Sequence, residues 1–534
     1  MTDKGTPAHW STLQKLIWLH AILGGGGSSG TLVTVTGVSP LTLVNALARP
    51  IKSLVQYGKC VQNGTPTPDA PVDILCNNGA LKCSMNMANV NADTALVGYY
   101  VSAQGVVTAD TNNWIYQEYI PVLPNTTYTL SMSSPVYYVT ISEYSTAADS
   151  GFVVRKTGSS GSNTSLTITT GENTNYIRFG TNVNRAAVTL EQVLAINWML
   201  NLGDTAMDYQ PYVEGGIYTD GTPEELTVGG TNLVDLTAVT DDYYYSPSGV
   251  YTAVSNARLT DYIPVKAGQK YTVYAKAERS GSAANVRCNL FDSAKEWKSQ
   301  SYFTVVSGSE AVSTITPTEN GYLRVSANYT GTGAVVDWST FQVVRGEYTL
   351  ATMPPYEPYV QPQTVTDIPM LLGVGDYKDA VELISGIKTG KVGIKVFDGT
   401  EAFTVSSSGA MITAIPDVAI GAQNVPLNTR FALGTSPTSI AVGAQRFGAS
   451  GDKIYSTNYY MKHPTITTAA DFKTWLAALF AAGTPDIMVY PRATETTEQT
   501  TAHSLHSYNG TTIVDAQTNV EPVELSVEYM AGAA

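Results

Sequence analysis

Short segments in which apolar and polar residues alternate recur along most of the chain. Examples are Thr126–Met132, Val136–Ser142, Ser165–Thr169 and Tyr176–Gly180, then Lys270–Lys276, Val286–Phe291 and Tyr322–Asn328. Alternation with a period of two places one set of side chains on each face of a strand. Turn residues separate these segments about every 8–12 positions, the spacing of a β-sandwich. Two segments follow the helical period instead. Residues 6–23 open with Thr6 and Pro7 and end at Gly24, with Trp10, Leu13, Leu16 and Ile17 on one apolar face. Residues 469–482 follow Thr468, carry Asp471 in the first turn and stop at Gly483-Thr484-Pro485, with Phe472, Trp475, Leu476, Leu479 and Phe480 as the buried stripe. Further strands are expected at Ile387–Phe397, Glu401–Val405, Ile487–Tyr490 and Val523–Tyr529.

The alternation is duplicated. Tyr119-Ile120-Pro121-Val122 with Tyr128-Thr129 returns as Tyr262-Ile263-Pro264-Val265 with Tyr271-Thr272, both at an offset of 143. Ser102-x-x-Gly105 matches Ser246-x-x-Gly249, and Tyr176-Ile177-Arg178 matches Tyr322-Leu323-Arg324. Each copy closes on a related pentapeptide, Tyr209-Gln210-Pro211-Tyr212-Val213 and Tyr356-Glu357-Pro358-Tyr359-Val360. The lead-ins Asn63-Gly64-Thr65-Pro66 and Asp220-Gly221-Thr222-Pro223 also match. Six blocks in one order imply two homologous modules. The expected layout is a helix and Gly linker over 1–30, a β-rich connector over 31–83, a first sandwich over 84–214, a linker over 215–229, a second sandwich over 230–361, and a β-rich domain over 362–534 with the helix 469–482. The fold class is predominantly all-β: tandem jelly-roll sandwiches, a β-rich C-terminal domain with one helix, and a short N-terminal helix. That first helix, set off by Gly24–Gly27, is read as an anchoring or oligomerisation element through Trp10, Leu13 and Ile17.

Composition narrows the functions. The chain has 534 residues and a net charge of −14, and only 14% of its residues are charged, against about 25% in an average domain. Tyr (33) outnumbers Phe (11), which suits strands with polar outer faces. An acidic chain without basic patches is a poor partner for nucleic acid. No apolar run reaches the roughly 18 residues of a membrane span, so no membrane insertion is expected, and no basic leader precedes Leu16–Leu23. Assembly in the cytoplasm is the expectation. Cys60, Cys76, Cys83 and Cys288 are irregularly spaced, imply neither a disulfide framework nor a zinc site, and are read as free buried thiols.

The phrases Tyr57–Ile74, Gly373–Phe403 and Phe472–Glu498, with the two Y-x-PYV closures, resemble tail-fibre or baseplate receptor-binding proteins of siphophages and prophages of Firmicutes. The resemblance covers about residues 50–525 and implies carbohydrate-binding-like jelly rolls, a homotrimer on the virion tail, other phage tail or baseplate proteins as partners, and action outside the cell. It carries no catalytic motif.

The residues agree that catalysis is unsupported. No Gly-x-Ser-x-Gly elbow, HExxH or P-loop is present, so no catalytic residue, metal ligand or cofactor is assigned. Asp/Asn/Gly turns offer oxygen ligands for structural Ca²⁺, without an EF-hand loop. His503 and His506 lie three apart, on opposite faces if that stretch is a strand, and are read as surface or interface residues. Sugar binding requires exposed rings beside hydrogen-bonding groups. The candidates are Trp114 with Tyr116, the run Tyr243-Tyr244-Tyr245, of which alternation exposes at least one ring, and Trp297. Trp198 and Trp338 are expected at equivalent core positions. The tyrosines of the duplicated motifs are read as framework. The expected function is a virion tail-tip protein binding host cell-surface polysaccharide; the alternatives are a purely structural tail subunit and a polysaccharide depolymerase.

Overall fold

The computed structural model describes residues 31–531, apart from 46, 159, 279–280, 282, 329–333, 420–424, 435–440, 448–457 and 521. The expected N-terminal helix, with Trp10, Leu13 and Ile17, lies outside the described residues.

Strands dominate, and nearly all pair antiparallel. The two modules repeat one topology. In the first, one sheet runs Phe152–Thr157, Tyr138–Tyr144, Tyr176–Asn182, Val107–Tyr116, Ala95–Val101, and faces Asn163–Thr169, Thr127–Val136, Trp198–Leu202. In the second, the order is Trp297–Val306, Ala283–Asp292, Gly321–Asn328, Tyr251–Leu259, Thr240–Tyr245, facing Glu310–Ile315, Tyr271–Lys276, Gln342–Arg345. Each pair of sheets encloses its own apolar core, around Leu130, Ile141 and Ile177 in one and Val273, Val286 and Leu323 in the other.

The duplicated motifs make duplicated bonds. The Tyr128 hydroxyl accepts from Leu123 N at 2.8 Å and the Tyr271 hydroxyl from Lys266 N at 2.9 Å. Thr129 Oγ1 donates to Gly203 O at 2.9 Å and Thr272 Oγ1 to Gly346 O at 2.8 Å. Arg178 Nε donates to Tyr116 O and Arg324 Nε to Thr260 O, with each guanidinium over a matched ring, Tyr119 at 4.8 Å and Tyr262 at 4.5 Å. Both tyrosine bonds satisfy a loop N–H beside a core, where an unpaired donor is costly. Tyr128→Phe and Tyr271→Phe should therefore each destabilise their own module by about 1–2 kcal/mol. Thermal or urea melts followed by hydrogen exchange on each module would check this; equal loss of protection in both modules from either change would contradict it.

The register corrects one expected equivalence. Tyr128 lies opposite Leu202 and Tyr271 opposite Arg345, so Trp198, opposite Met132, corresponds to Phe341 and not to Trp338. Phe341 is fully buried, whereas Trp338 sits in a short 3₁₀ turn and packs on it at 4.5 Å.

The remaining residues form a scaffold from distant parts of the chain. One sheet runs Thr31–Val38, Glu524–Ala531, Arg49–Tyr57, Ala380–Glu382, Ile387–Phe397, Asp486–Gln499, Leu427–Asn428. A second runs Leu41–Asn45, Gly510–Gln517, Glu225–Gly229, Gln363–Val365, and three further sheets complete the described residues outside the modules. Leu43, Leu54, Leu226, Val228, Val514 and Val527 pack between the first two. The segment 215–229, expected as a linker, therefore supplies a strand to this second sheet. It also supplies Ile217–Asp220, which pairs with Gly79–Cys83. The modules leave and re-enter one body built from the connector, the linker and the C-terminal region. The helix forms at Ala469–Ala481, capped by Thr468, whose Oγ1 accepts from Asp471 N at 3.1 Å. It buries Phe472 and Leu476 against Phe397, Phe431 and Met411.

Candidate carbohydrate-binding cleft

The aromatic candidates from the sequence are packing residues. Trp114 is fully buried, edge-on to Trp198 at 4.8 Å and to Phe179 at 5.7 Å. Tyr116 is 2% exposed, stacks on Phe179 at 5.1 Å, and burial pushes its hydroxyl up to about 12. Tyr243 stacks on Tyr251 at 4.6 Å, Tyr245 packs edge-on to Phe291 at 5.0 Å, and the Arg287 guanidinium lies 5.5 Å from the Tyr244 ring. None of the three is exposed. Each is half-buried, so packing takes up part of every ring.

Part of this packing comes from a curled hairpin. Gln300 Nε2 donates to Tyr245 O at 2.9 Å and to Ser246 O at 3.2 Å, pulling the tip of the hairpin 240–259 over the sheet. Gly249, at φ +78°, rests on the Trp297 ring; a Cβ there would come within 2.4 Å of the indole. The first module repeats the arrangement. Arg155 Nη1 donates to Val101 O at 2.7 Å, and Gly105 rests on Phe152. Trp297 is thus the seat of a glycine turn, which explains why Ser-x-x-Gly is duplicated.

The large opening lies elsewhere, between the scaffold's second sheet and the second module, and measures about 770 Å³. Its floor is the outer face of that sheet, with Thr42, Val44, Thr227, Thr364 and Ile513. These alternate with inward Leu41, Leu43, Leu226 and Val228, so the strand period itself creates a mixed hydroxyl and methyl floor. One wall is Asp261, Tyr262, Arg345 and Tyr348 of the module, and the roof is the strap Pro354–Pro362, carrying Glu357, Tyr359 and Gln361.

Glu357 ties the strap down. It accepts from Thr231 Oγ1 at 2.9 Å, Thr511 Oγ1 at 3.0 Å and Thr511 N at 3.1 Å. Burial raises its pKa, and the Thr231 and Thr511 bonds oppose the rise. Gly510 permits the approach, since a Cβ there would fall 2.8 Å from Glu357 Oε1. Arg345 and Asp515 form an ion pair from module to scaffold, and Ser39 Oγ donates to Asp515 at 3.0 Å. With Arg345 neutralised, Glu225, Asp235, Asp261 and Glu357 make the cleft acidic. Burial, then Asp235, raises the pKa of the Tyr359 hydroxyl, which donates to Gln361 Oε1 at 3.1 Å.

Sequence reasoning passed over Tyr348, Glu357, Tyr359 and Gln361. The available signal was the Y-x-PYV closure, read as framework. The variable position does hold each module's start: Gln210 accepts from Met85 N at 2.6 Å as Glu357 accepts from Thr231. In the second copy the same pentapeptide also roofs a cleft. His503 lies 3.1 Å from Asp367, and His506 is exposed on a two-residue strand. Among the described residues, no group of three or more His, Cys, Asp or Glu side chains is placed to share a metal ion.

No family model and no curated protein matches the chain. Among solved structures, it is similar to the tandem CBM22-1–CBM22-2 domains of Paenibacillus barcinonensis Xyn10C, at 12% identity over 51% of this chain and 99% of that one, with a TM-score of 0.15. It is similar to Clostridium perfringens ZmpB, comprising a catalytic domain with two CBM51 domains, at 9% identity over 55% and 43%, TM-score 0.14. It is also similar to an infectious bursal disease virus structure, at 8% identity over 96% and 85%, TM-score 0.14. Likenesses at this level do not bear on function.

Proposed function

We propose that the protein is a structural component of a phage tail tip or fibre that holds host cell-surface glycan in the cleft beneath its second module. The observation that carries this reading is the 770 Å³ opening itself, roofed by Tyr359, walled by Tyr348 and floored by threonines. It falls within the roughly 300–1,000 Å³ of small-ligand sites and offers rings for pyranose faces beside acceptors for hydroxyls. The acidic lining favours uncharged or amino sugars over polyanions. The sequence resemblance supports the tail assignment and a homotrimer with other tail proteins as partners. In a trimer, three weak sites gain through effective concentration. The action is adhesion without turnover.

Purified full-length protein should bind host wall polysaccharide in a pull-down or by calorimetry. Tyr359→Ala and Tyr348→Ala should each weaken binding about tenfold, one stacking contact being worth roughly 1.4 kcal/mol. Full binding by both variants would remove the cleft from the mechanism. The second reading, a tail subunit without sugar binding, draws on the burial of Trp114 and Tyr116 and the packing of Trp297. It predicts no binding by the native protein.

A further inference from the structure

Two cysteines 16 positions apart meet across a hairpin. Strands Cys60–Gln62 and Ile74–Cys76 are antiparallel, with Cys60 opposite Cys76, Val61 opposite Leu75 and Gln62 opposite Ile74. One step along the same ladder, Asn63 N donates to Asp73 O at 2.9 Å. Opposed pairs in an antiparallel ladder alternate between hydrogen-bonded and non-hydrogen-bonded. Counting from 63/73, the pair 61/75 is bonded and 60/76 is not. Non-bonded pairs bring the Cα atoms to about 4.5 Å with side chains close, inside the roughly 4.4–6.8 Å that a disulfide spans. The neighbouring Cys60 thiol, and then burial, raises the Cys76 thiol above the ordinary cysteine value. Cys288 is walled into the second module's core, and Cys83 lies on a different strand.

We propose that Cys60 and Cys76 are a dithiol–disulfide pair that closes when the chain meets an external low-molecular-weight disulfide. Cys60, 7% exposed against 0% for Cys76, reacts first. Its thiolate attacks one sulfur of oxidised glutathione, forming a mixed disulfide and releasing one glutathione. Cys76 sulfur then attacks Cys60 sulfur and expels the second. Two protein thiols are oxidised, one external disulfide is reduced to two thiols, and the two cysteine protons leave with them. Opening of the hairpin limits the rate, since both thiols are buried and the thiolate is the reacting form.

The link would staple a joint. Within the closed loop, Val72 N donates to Thr429 O at 2.8 Å, and Pro68 O accepts from Arg430 Nη1 at 2.7 Å. The hairpin thereby clasps the helix-bearing part of the chain, and cross-linking it restrains that clasp.

The test uses the folded full-length protein, incubated with oxidised glutathione or with dithiothreitol, then denatured, alkylated and digested. Trypsin releases residues 60–82 as one peptide. After oxidation it should be about 2 Da lighter and unalkylated, and cleavage at Asp69 should leave its halves joined until reduction. Cys83 and Cys288 should remain alkylated. Hydrogen exchange across 60–76 should slow by about one to two orders of magnitude on oxidation. That slowing should persist in Cys288→Ala and vanish in Cys60→Ser. Alkylation of both Cys60 and Cys76 after oxidation, or glutathione adducts that never resolve, would overturn the pair.

Discussion

Trp114→Ala is expected to unfold the first module while the second remains folded. The indole is fully buried and contacts Trp198 and Phe179. Truncating a buried Trp removes its transfer free energy and leaves a cavity, at a cost of about 3–5 kcal/mol. That is a large share of the roughly 5–15 kcal/mol that stabilises a typical domain. The sandwich cores are separate, so the loss should stay local. Limited proteolysis should cut within 84–214 and spare 230–361, and hydrogen exchange should show the same division. Trp114 Nε1 has no hydrogen-bond partner among the described residues, so Trp114→Phe keeps the ring contacts without breaking a bond and should cost much less. A variant that kept native stability but lost glycan binding would return Trp114 to the list of ligand contacts.

The second large effect is a dependence of stability on pH through Glu224. This carboxyl is buried between the strand Arg49–Tyr57 and the Asn77 turn. Burial raises its pKa to about 8, while hydrogen bonds from Asn77, at 2.9 Å, and Gln56 act in the opposite direction. The folded form therefore holds a proton that the unfolded chain, near 4.5, releases. Glu224's contribution is complete below about 4.5, declines as pH rises, and is gone above about 8. The integrated loss is at most about 5 kcal/mol. Urea unfolding at pH 5 and pH 8.5 should show the native protein weaker at the higher pH. Glu224→Gln, which keeps an acceptor for Asn77 but does not ionise, should reduce that difference by several kcal/mol. Equal pH dependence in the two proteins would show that Glu224 does not titrate in this window.

Asn77 explains why Glu224 is buried at all. Its Oδ1 accepts from Lys59 N at 2.9 Å, its Nδ2 also donates to Tyr57 O at 3.2 Å, and its carbonyl accepts from Asn519 N at 2.7 Å. One turn thus joins the connector, the segment between the modules and the C-terminal region. Nothing local marks it, since each partner lies on a different stretch of chain.

The same contrast runs through the molecule. Strand period, the duplicated blocks and the Thr468 cap are local signals, and they specified the all-β class, the two sandwiches and the helix near 469–482. Register was not local. The pairing of Thr31–Val38 with Glu524–Ala531 spans nearly the whole chain, and a period of two says which side chains share a face but not which strand lies alongside. Nor does it say whether a face is covered. Tyr243–Tyr245 are half-buried, with Tyr243 on Tyr251 and Tyr245 on Phe291, in a hairpin whose tip Gln300 holds. The fold class and the duplication were therefore determined by the sequence alone. The single scaffold, the meeting of Cys60 with Cys76 and the cleft under Tyr359 were decided by the tertiary structure, because each depends on contacts between segments whose separation no local pattern encodes.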